Sequence, residues 1–312
     1  MRRASALLVT TGLLIATLSG CSAGQGSDCS ATAKPGAASK LISASGQFGA
    51  TPKVTFPTPL KTGTTQSSDL IKGTGVAVHE GQQVTLDISI FNGTTGELLQ
   101  KAGYDKDGPV PVVLGSQIPP GLLKGLECAT VGSRVAIAIS PKDAAEGNTG
   151  TDSFVAVVDL HKSFLLKANG TPQPTSAGFP SVVLAPDGTP GITVPKINPP
   201  SQLRIEALKK GDGTTVKRGD KVVVHYTGVL WKERTVFDSS WSRHEPVTLV
   251  ADDAASAQGG IVPGFADALL GQKVGSQVVA IIPPDKGYGA QGSGQVPANS
   301  TLVFVIDILG IL

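Results

Sequence analysis

Apolar residues in the C-terminal third of the chain follow the pattern of an antiparallel sheet. Leu203, Ile205 and Ala207 alternate with polar residues, which predicts a strand with one buried face. Three later runs are almost wholly apolar and predict strands at the centre of a sheet. The predicted strands are residues 203–207, 222–226, 276–282 and 301–309.

One helix is predicted among these strands. Residues 264–270 are opened by Pro263, which suits a first helical position, and closed by Gly271, which suits a helix end. Strands around one short helix predict an α+β fold in which an antiparallel sheet wraps around the helix.

The sequence also repeats itself. Residues 51–84 align with residues 189–222 without a gap, and eleven of the 34 positions are identical. Further on, ten residues between Ile118 and Pro141 meet identical residues between Ile261 and Pro284. The repeat predicts two domains of the same fold.

Two stretches poor in large apolar residues separate these domains from each other and from the N-terminus. Residues 21–47 are rich in Ala, Ser, Gly and Thr and predict a flexible stalk, whereas residues 167–200 predict a Pro/Gly-rich linker. The domains are then residues 48–166 and 201–312.

A short arm recurs before each domain. Residues 53–57 and 191–195 belong to the repeat, so both arms are predicted to be structural strands. We expect the second arm to pair with an edge of the first domain.

The N-terminus has the pattern of an export signal. Met1, Arg2 and Arg3 form a basic head, residues 6–18 are apolar, and Leu-Ser-Gly-Cys21 follows. This ending resembles a bacterial lipobox, which implies cleavage of residues 1–20, lipidation of Cys21 and a membrane-anchored extracytoplasmic protein. The alternative is an ordinary secretory signal followed by a chance cysteine.

If Cys21 is lipidated, Cys29 and Cys128 remain as an even pair. In an oxidising compartment such a pair predicts a disulfide between the N-terminal segment and the first domain, whereas two free thiols are the alternative.

Composition and motifs exclude several kinds of chemistry. The net charge is +2 and basic residues are scattered, so no nucleic-acid partner is predicted. No phosphate-binding glycine loop or nucleophile elbow occurs, and no metal site or cofactor is expected from ligand spacing. The histidines lie far apart, at His79, His161, His225 and His244.

Four motifs lie in the last part of the chain: HYTG (225–228), FDSS (237–240), IVPGF (261–265), and GYG (287–289) followed by TLVF (301–304). In this order and spacing they resemble the FKBP-type peptidyl-prolyl cis/trans isomerases, over about the last 110 residues. The resemblance implies two FKBP-like domains, each an antiparallel sheet around a short helix.

The resemblance also implies a proline-binding pocket. Its catalytic residues would be Tyr226, Phe237, Asp238, Tyr288 and Phe304, and its substrate-binding residues Val247, Ile261, Val262 and Phe265. The backbone N–H of Val262 would hold a substrate carbonyl, and Phe265 would be the floor. Most members carry Trp at the floor and many carry an aromatic residue in place of Val247, which implies a smaller or more open pocket. In an unrelated fold these aromatic residues would be ordinary core residues.

The first copy lacks these residues. Ile88 replaces Tyr226, residues 99–101 contain no Phe-Asp pair, and Ala145 replaces Tyr288. We interpret residues 48–166 as a degenerate, inactive domain.

The functional prediction is therefore a monomeric peptidyl-prolyl isomerase that acts, without a cofactor, on X-Pro bonds in secreted or envelope proteins. The alternative is a non-catalytic FKBP-like chaperone or adaptor that binds apolar or proline-containing segments.

Overall fold

The computed structural model describes residues 29–145, 149–252 and 261–312. The predicted signal peptide, residues 1–20, and the predicted lipidation site Cys21 lie outside these residues. Within the described part of the chain, no helix has the length and apolar character needed to cross a membrane.

The first half of the chain forms one sheet, one helix and a small hairpin. Its elements are β1 (Ser43–Ser45), β2 (Lys53–Thr55), β3 (Gln66–Ile71), β4 (Gln83–Asn92), β5 (Leu98–Ala102), β6 (Val110–Val113), α1 (Pro120–Leu126), β7 (Arg134–Ile139) and β8 (Phe154–Ser163). The sheet has the order β3-β7-β8-β4-β5, with β6 also paired to β4, and every pairing is antiparallel.

The second half repeats this plan. Its elements are β9 (Thr171–Pro172), β10 (Ser181–Leu184), β11 (Pro190–Thr193), β12 (Arg204–Lys210), β13 (Lys221–Leu230), β14 (Val236–Ser239), β15 (Val247–Val250), α2 (Pro263–Leu269), β16 (Gln277–Ile282) and β17 (Leu302–Ile311). The order β12-β16-β17-β13-β14, with β15 on β13, matches the first sheet strand for strand, and β9 extends its edge. The predicted duplicated α+β fold is confirmed.

Both faces of the second sheet are covered, which explains the continuous apolar strands. Along β17, Phe304 and Ile306 belong to the core beneath helix α2, together with Leu269. Val303 and Val305 alternate with them and are buried on the opposite face. A strand buried on both faces has no polar position left to alternate.

The opposite face is covered by chain that precedes the sheet. Strands β10 and β11 pair as a hairpin, and Val182, Ile192 and Val194 pack against the sheet. The segment 167–200, predicted as a linker with a strand-like arm, therefore also covers a sheet face, and the predicted arm coincides with strand β11.

In the first half, too, a hairpin that precedes the sheet covers its outer face. Strands β1 and β2 pair, and Ile42 and Val54 belong to a second core cluster on the outer face of that sheet, with Ala136 and Val157. The prediction of a flexible stalk was thus wrong over its described part, residues 29–47. The composition of this segment was misleading because the sheet face that it covers is lined partly by alanines. Such a face can be covered by small residues, without many large apolar side chains.

A buried carboxylate on the last strand anchors each preceding segment. Asp159 Oδ2 on β8 accepts a hydrogen bond from the Gly49 backbone N–H at 2.7 Å, and Asp307 Oδ2 on β17 accepts one from Ala168 at 2.7 Å. Arg134 pairs with Asp159 and also donates to two backbone carbonyls of the incoming segment.

The second arm does not pair with an edge of the first domain, so that prediction was wrong. The halves meet elsewhere: the Leu165 backbone N–H donates to the Leu309 carbonyl at 3.1 Å, and the Gln83 amide bonds the Thr248 hydroxyl at 3.0 Å. Strand β11 pairs with β10 instead, and this hairpin buries the apolar side chains of β11 against the second sheet.

Cys29 and Cys128 form a disulfide with their Cα atoms 5.6 Å apart. The bond joins the N-terminal segment to the residue that follows helix α1 by two positions, as the sequence predicted for this pair.

Candidate active site

Four aromatic side chains meet on the helix side of the second sheet. Tyr226 comes from β13, Phe237 from β14, Phe304 from β17 and Phe265 from α2. Ring centroids are 5.0 Å apart for Phe265 and Phe304, 5.5 Å for Phe237 and Phe304, and 5.7 Å for Tyr226 and Phe265. All three contacts are edge-to-face, the arrangement that aromatic quadrupoles favour.

Strand register brings these rings together. Gly228 lies opposite Phe304 on one neighbouring strand and opposite Asp238 on the other. A Cβ atom at Gly228 would lie 2.6 Å from the Phe237 ring and 2.8 Å from the Phe304 ring. Only glycine leaves room for both rings, and sequence reasoning assigned this residue no role.

A polar group of three side chains borders the aromatic cluster. The Tyr226 hydroxyl donates a short hydrogen bond to Asp238 Oδ2. Arg243 Nη1 donates to Asp238 Oδ1 at 2.6 Å, and its Nη2 donates to the Tyr226 hydroxyl oxygen at 3.3 Å. The sequence analysis did not include Arg243. Its one indication was a basic residue five positions after Asp238, close enough in the chain to pair with that carboxylate.

These contacts decide the charges at neutral pH. Partial burial by itself raises the pKa of Asp238, but hydrogen bonds from Tyr226 and Arg243 outweigh it and hold that pKa below its ordinary value. Burial, followed by the bond to Asp238, raises the pKa of Tyr226 to about 12. The site therefore contains a carboxylate and a neutral phenol.

A rigid turn carries Arg243. The 3-10 turn Trp241–Arg243 follows β14, and the Trp241 ring stacks on the His225 imidazole with centroids 3.9 Å apart. The Ser240 hydroxyl bonds His225 Nδ1 at 2.9 Å and also accepts from the Tyr226 backbone N–H. The turn is thus fixed to the strand that bears Tyr226.

The remaining predicted residues surround the same core. Val262 is buried at the start of helix α2, while Ile261 and Val247 are half-buried against the cluster that contains Phe265. Tyr288 is 36% exposed, and burial of its other part together with the negative charge of Asp238 raises its pKa.

The first half contains a different pocket at the equivalent position. The strand pairings place Ile90 and Gln100 where Gly228 and Asp238 lie in the second half, and Ala156 where Phe304 lies. A cavity of about 230 Å³ remains. It is lined by Ile90, Leu99, Gln100, Pro119, Leu122, Ile139, Ala144 and Phe154.

Comparison with known proteins locates the family resemblance in the second half. Residues 212–309 match the family model described as FKBP-type peptidyl-prolyl cis-trans isomerase. The chain is similar to FK506-binding protein 1A of Neurospora crassa, with 38% identity over 122 residues, which cover 38% of this chain and 94% of that protein.

Two further comparisons involve proteins of Escherichia coli. The FKBP-type 22 kDa peptidyl-prolyl cis-trans isomerase is 40% identical over 113 residues, which cover 36% of this chain and 51% of that protein, about half its length. The crystal structure of FkpA aligns with a TM-score of 0.32 and 30% identity, covering 44% of this chain and 53% of that one.

Proposed function

This chain belongs to the family of FKBP-type peptidyl-prolyl cis-trans isomerases and is an enzyme of that class, and we propose that the aromatic cluster around Phe304 is its catalytic pocket. The observation that carries the proposal is the convergence of four rings from three strands and one helix beside the Tyr226–Asp238–Arg243 group.

The proposed mechanism needs no covalent intermediate. Rotation about an X-Pro bond is slow because amide resonance opposes twisting, with a barrier of about 18–20 kcal/mol for peptide bonds. The twisted amide has less charge separation than the planar one, so an apolar pocket disfavours the planar ground state relative to the transition state. Each 1.36 kcal/mol of this difference corresponds to about a tenfold change in rate.

The rings and the polar group have separate roles in this mechanism. Phe237, Phe265 and Phe304 surround the proline ring and exclude water. Asp238 and Arg243 fix the Tyr226 hydroxyl, which lies at the edge of the cluster where it can orient a carbonyl next to the proline. The Val262 backbone N–H is the proposed donor to a second substrate carbonyl.

We place the enzyme outside the cytoplasm, acting on X-Pro bonds of secreted or envelope proteins. The export signal and the Cys21 motif support this location, as does the Cys29–Cys128 disulfide, which suits an oxidising compartment. The lipid on Cys21 would attach the protein to the membrane.

The assignment is tested with a protease-coupled isomerase assay on the whole chain. Asp238→Asn and Phe304→Leu should each lower kcat/KM by about tenfold or more. The matched control is Asp69→Asn, an exposed carboxylate on strand β3 of the first half, which should leave kcat/KM unchanged. Full activity of both second-half variants would refute the site.

The cavity in the first half supports a second function, non-catalytic binding of apolar polypeptide segments. It has apolar walls and one polar side chain, Gln100, suited to a backbone amide. Titration of the isotope-labelled whole chain with a proline-free, leucine-rich peptide should shift the NMR signals of Leu99 and Leu122. Shifts confined to the second half would reject this function.

A further inference from the structure

Four metal-ligand side chains lie together at the Cys29–Cys128 bond. His79 Nδ1 is 3.4 Å from Cys29 Sγ and 3.2 Å from Glu127 Oε1. The ligand atoms of Cys29, Glu127 and Cys128 all lie within 4.8 Å of one another. Sequence analysis paired the two cysteines but did not add His79 or Glu127, because the four residues are separated by up to 99 positions.

The two separations from His79 Nδ1 are close to the edges of a tetrahedral zinc site. Bond lengths of about 2.3 Å to sulfur, about 2.05 Å to nitrogen and about 2.1 Å to oxygen give S···N and N···O edges of about 3.6 and 3.4 Å. The observed separations of 3.4 and 3.2 Å are each within about 0.2 Å of these edges. His79 Nδ1 is not among the atoms that lie within 4.8 Å of one another, so metal binding requires His79 to approach Cys128 while the two sulfurs separate to about 3.8 Å.

Backbone hydrogen bonds hold three of the four ligands independently of the disulfide. The Cys128 N–H donates to the Val78 carbonyl at 2.9 Å, and the His79 N–H donates to the Gln82 side chain at 3.0 Å. Glu127 Oε2 accepts from the Glu80 N–H at 2.8 Å, which leaves Oε1 directed at His79. Cys29 alone belongs to the incoming N-terminal segment.

The cluster is also accessible. Cys29 and Cys128 are each half-buried, and the neighbouring side chains of His79 and Glu127 are 30% and 21% exposed, so the cluster lies at the protein surface.

We propose that the reduced form of this cluster binds one divalent thiophilic cation, such as Zn²⁺, through Cys29, Cys128, His79 Nδ1 and Glu127. This site is separate from the isomerase pocket and does not depend on its assignment. The disulfide and the metal are then alternative crosslinks that hold the N-terminal segment to the end of helix α1, one in the oxidised and one in the reduced protein.

The chemistry balances with a dithiol as the reductant. The dithiol transfers two electrons and two protons, becomes a cyclic or protein disulfide, and leaves Cys29 and Cys128 as thiols. Binding of the cation then releases both thiol protons, and the metal replaces any proton on His79 Nδ1. Two thiolates, one carboxylate and a neutral imidazole give the zinc complex a net charge of −1.

Cobalt absorption provides the test. The whole chain carrying Cys21→Ser, which keeps only the two relevant thiols, is reduced with a phosphine, desalted without oxygen and titrated with Co²⁺. We expect one equivalent to produce the visible bands of tetrahedral cobalt and a thiolate-to-cobalt charge-transfer band, both abolished by one equivalent of Zn²⁺. The oxidised protein should show neither.

Ligand variants make the test specific. His79→Ala and Glu127→Ala should each weaken Co²⁺ binding by about tenfold or more, whereas Glu80→Ala, next to the cluster, should not. Each variant is first shown to keep its fold in the disulfide form by circular dichroism. A reduced protein without tetrahedral bands, or with bands unaffected by His79→Ala, overturns the proposal.

Zinc-dependent thermal stability offers a second measurement. Zn²⁺ should raise the Tm of the reduced protein towards that of the oxidised protein, because the cation binds the folded state, and should leave the oxidised Tm unchanged. An equal effect on both forms would show non-specific binding and reject the site.

Discussion

Arg243 Nη1 lies 2.6 Å from Asp238 Oδ1, and the same guanidinium reaches the Tyr226 hydroxyl oxygen at 3.3 Å. One cation therefore holds both polar groups that border the aromatic cluster. The pair is partly exposed, with 47% of the Arg243 side chain accessible, so its contribution to overall stability is small and its importance lies in geometry.

Removal of this cation should change the site without unfolding the domain. In Arg243→Gln the pKa of Asp238 should rise, because one of the hydrogen bonds that favour its charged form is lost together with a neighbouring positive charge. We expect kcat/KM to fall by about three- to tenfold. Carbon-detected NMR titration of the carboxyl group measures the pKa, and Arg234→Gln, an exposed arginine on the preceding turn, is the control. An unchanged Asp238 pKa would contradict the prediction.

Gly228 should be intolerant of even a methyl group. Gly228→Ala places Cβ against the Phe237 and Phe304 rings, so we expect a loss of about 1–3 kcal/mol in the free energy of unfolding and a large loss of activity. Urea unfolding and the isomerase assay measure the two effects. Gly191→Ala is the control, since its new Cβ meets only one atom, at 3.5 Å. Equal behaviour of the two variants would refute the packing argument.

The buried imidazole of His225 should make the second domain sensitive to mild acid. Burial, with a smaller effect from Arg243, lowers the pKa of His225 to about 4, whereas nearby Asp187 opposes the shift. Between pH 6.5 and about 4 the imidazole of His225 is protonated in the unfolded chain but neutral in the folded chain. The free energy of unfolding therefore falls as the pH decreases through this range. The full loss is about 3 kcal/mol.

His225→Asn provides the comparison for this prediction. It keeps a polar atom near the Ser240 hydroxyl but cannot titrate. Urea midpoints measured at pH 7 and pH 4.5 should differ less for this variant than for the natural chain. Identical pH dependence in both proteins would show that other groups are responsible.

The disulfide should stabilise the first half more than the second. It closes a sequence separation of 99 residues, and its loss in Cys29→Ala should cost about 2–4 kcal/mol. Both tryptophans, Trp231 and Trp241, lie in the second half, so their fluorescence in a urea titration should shift less than far-ultraviolet circular dichroism. A larger shift in the tryptophan signal would contradict this assignment.

The aromatic cluster was expected from the resemblance of four sequence motifs to a known family, because the residue types alone would equally suit an ordinary core. Tyr226, Phe237 and Phe304 lie on neighbouring strands whose register follows from the sheet itself. The duplicated sheet was equally predictable, since eleven of 34 aligned residues are identical in its first segment.

The repeat predicted one strand of each covering hairpin, at residues 53–57 and 191–195, but composition predicted neither the partner strand nor the sheet face that each hairpin covers. Val182, Ile192 and Val194 are isolated apolar residues among Pro, Gly and Thr, and their importance depends on a bare sheet face that the sequence does not display. The anchoring bonds of Asp159 and Asp307 are made to backbone N–H groups, which every residue except proline has, so no side-chain pattern reveals them.

Hairpin β10–β11 also determines where a stable fragment of this enzyme can begin. The family match begins at residue 212, and a fragment cut there would lack the hairpin and the Ala168 contact with Asp307. Its sheet would present Val279, Val303 and Val305 to water, a surface prone to self-association. We expect the smallest excisable isomerase to begin near residue 164, because Phe164 and Leu165 also pack on the second half, and every domain swap or fusion made with this protein should carry that leading segment with it.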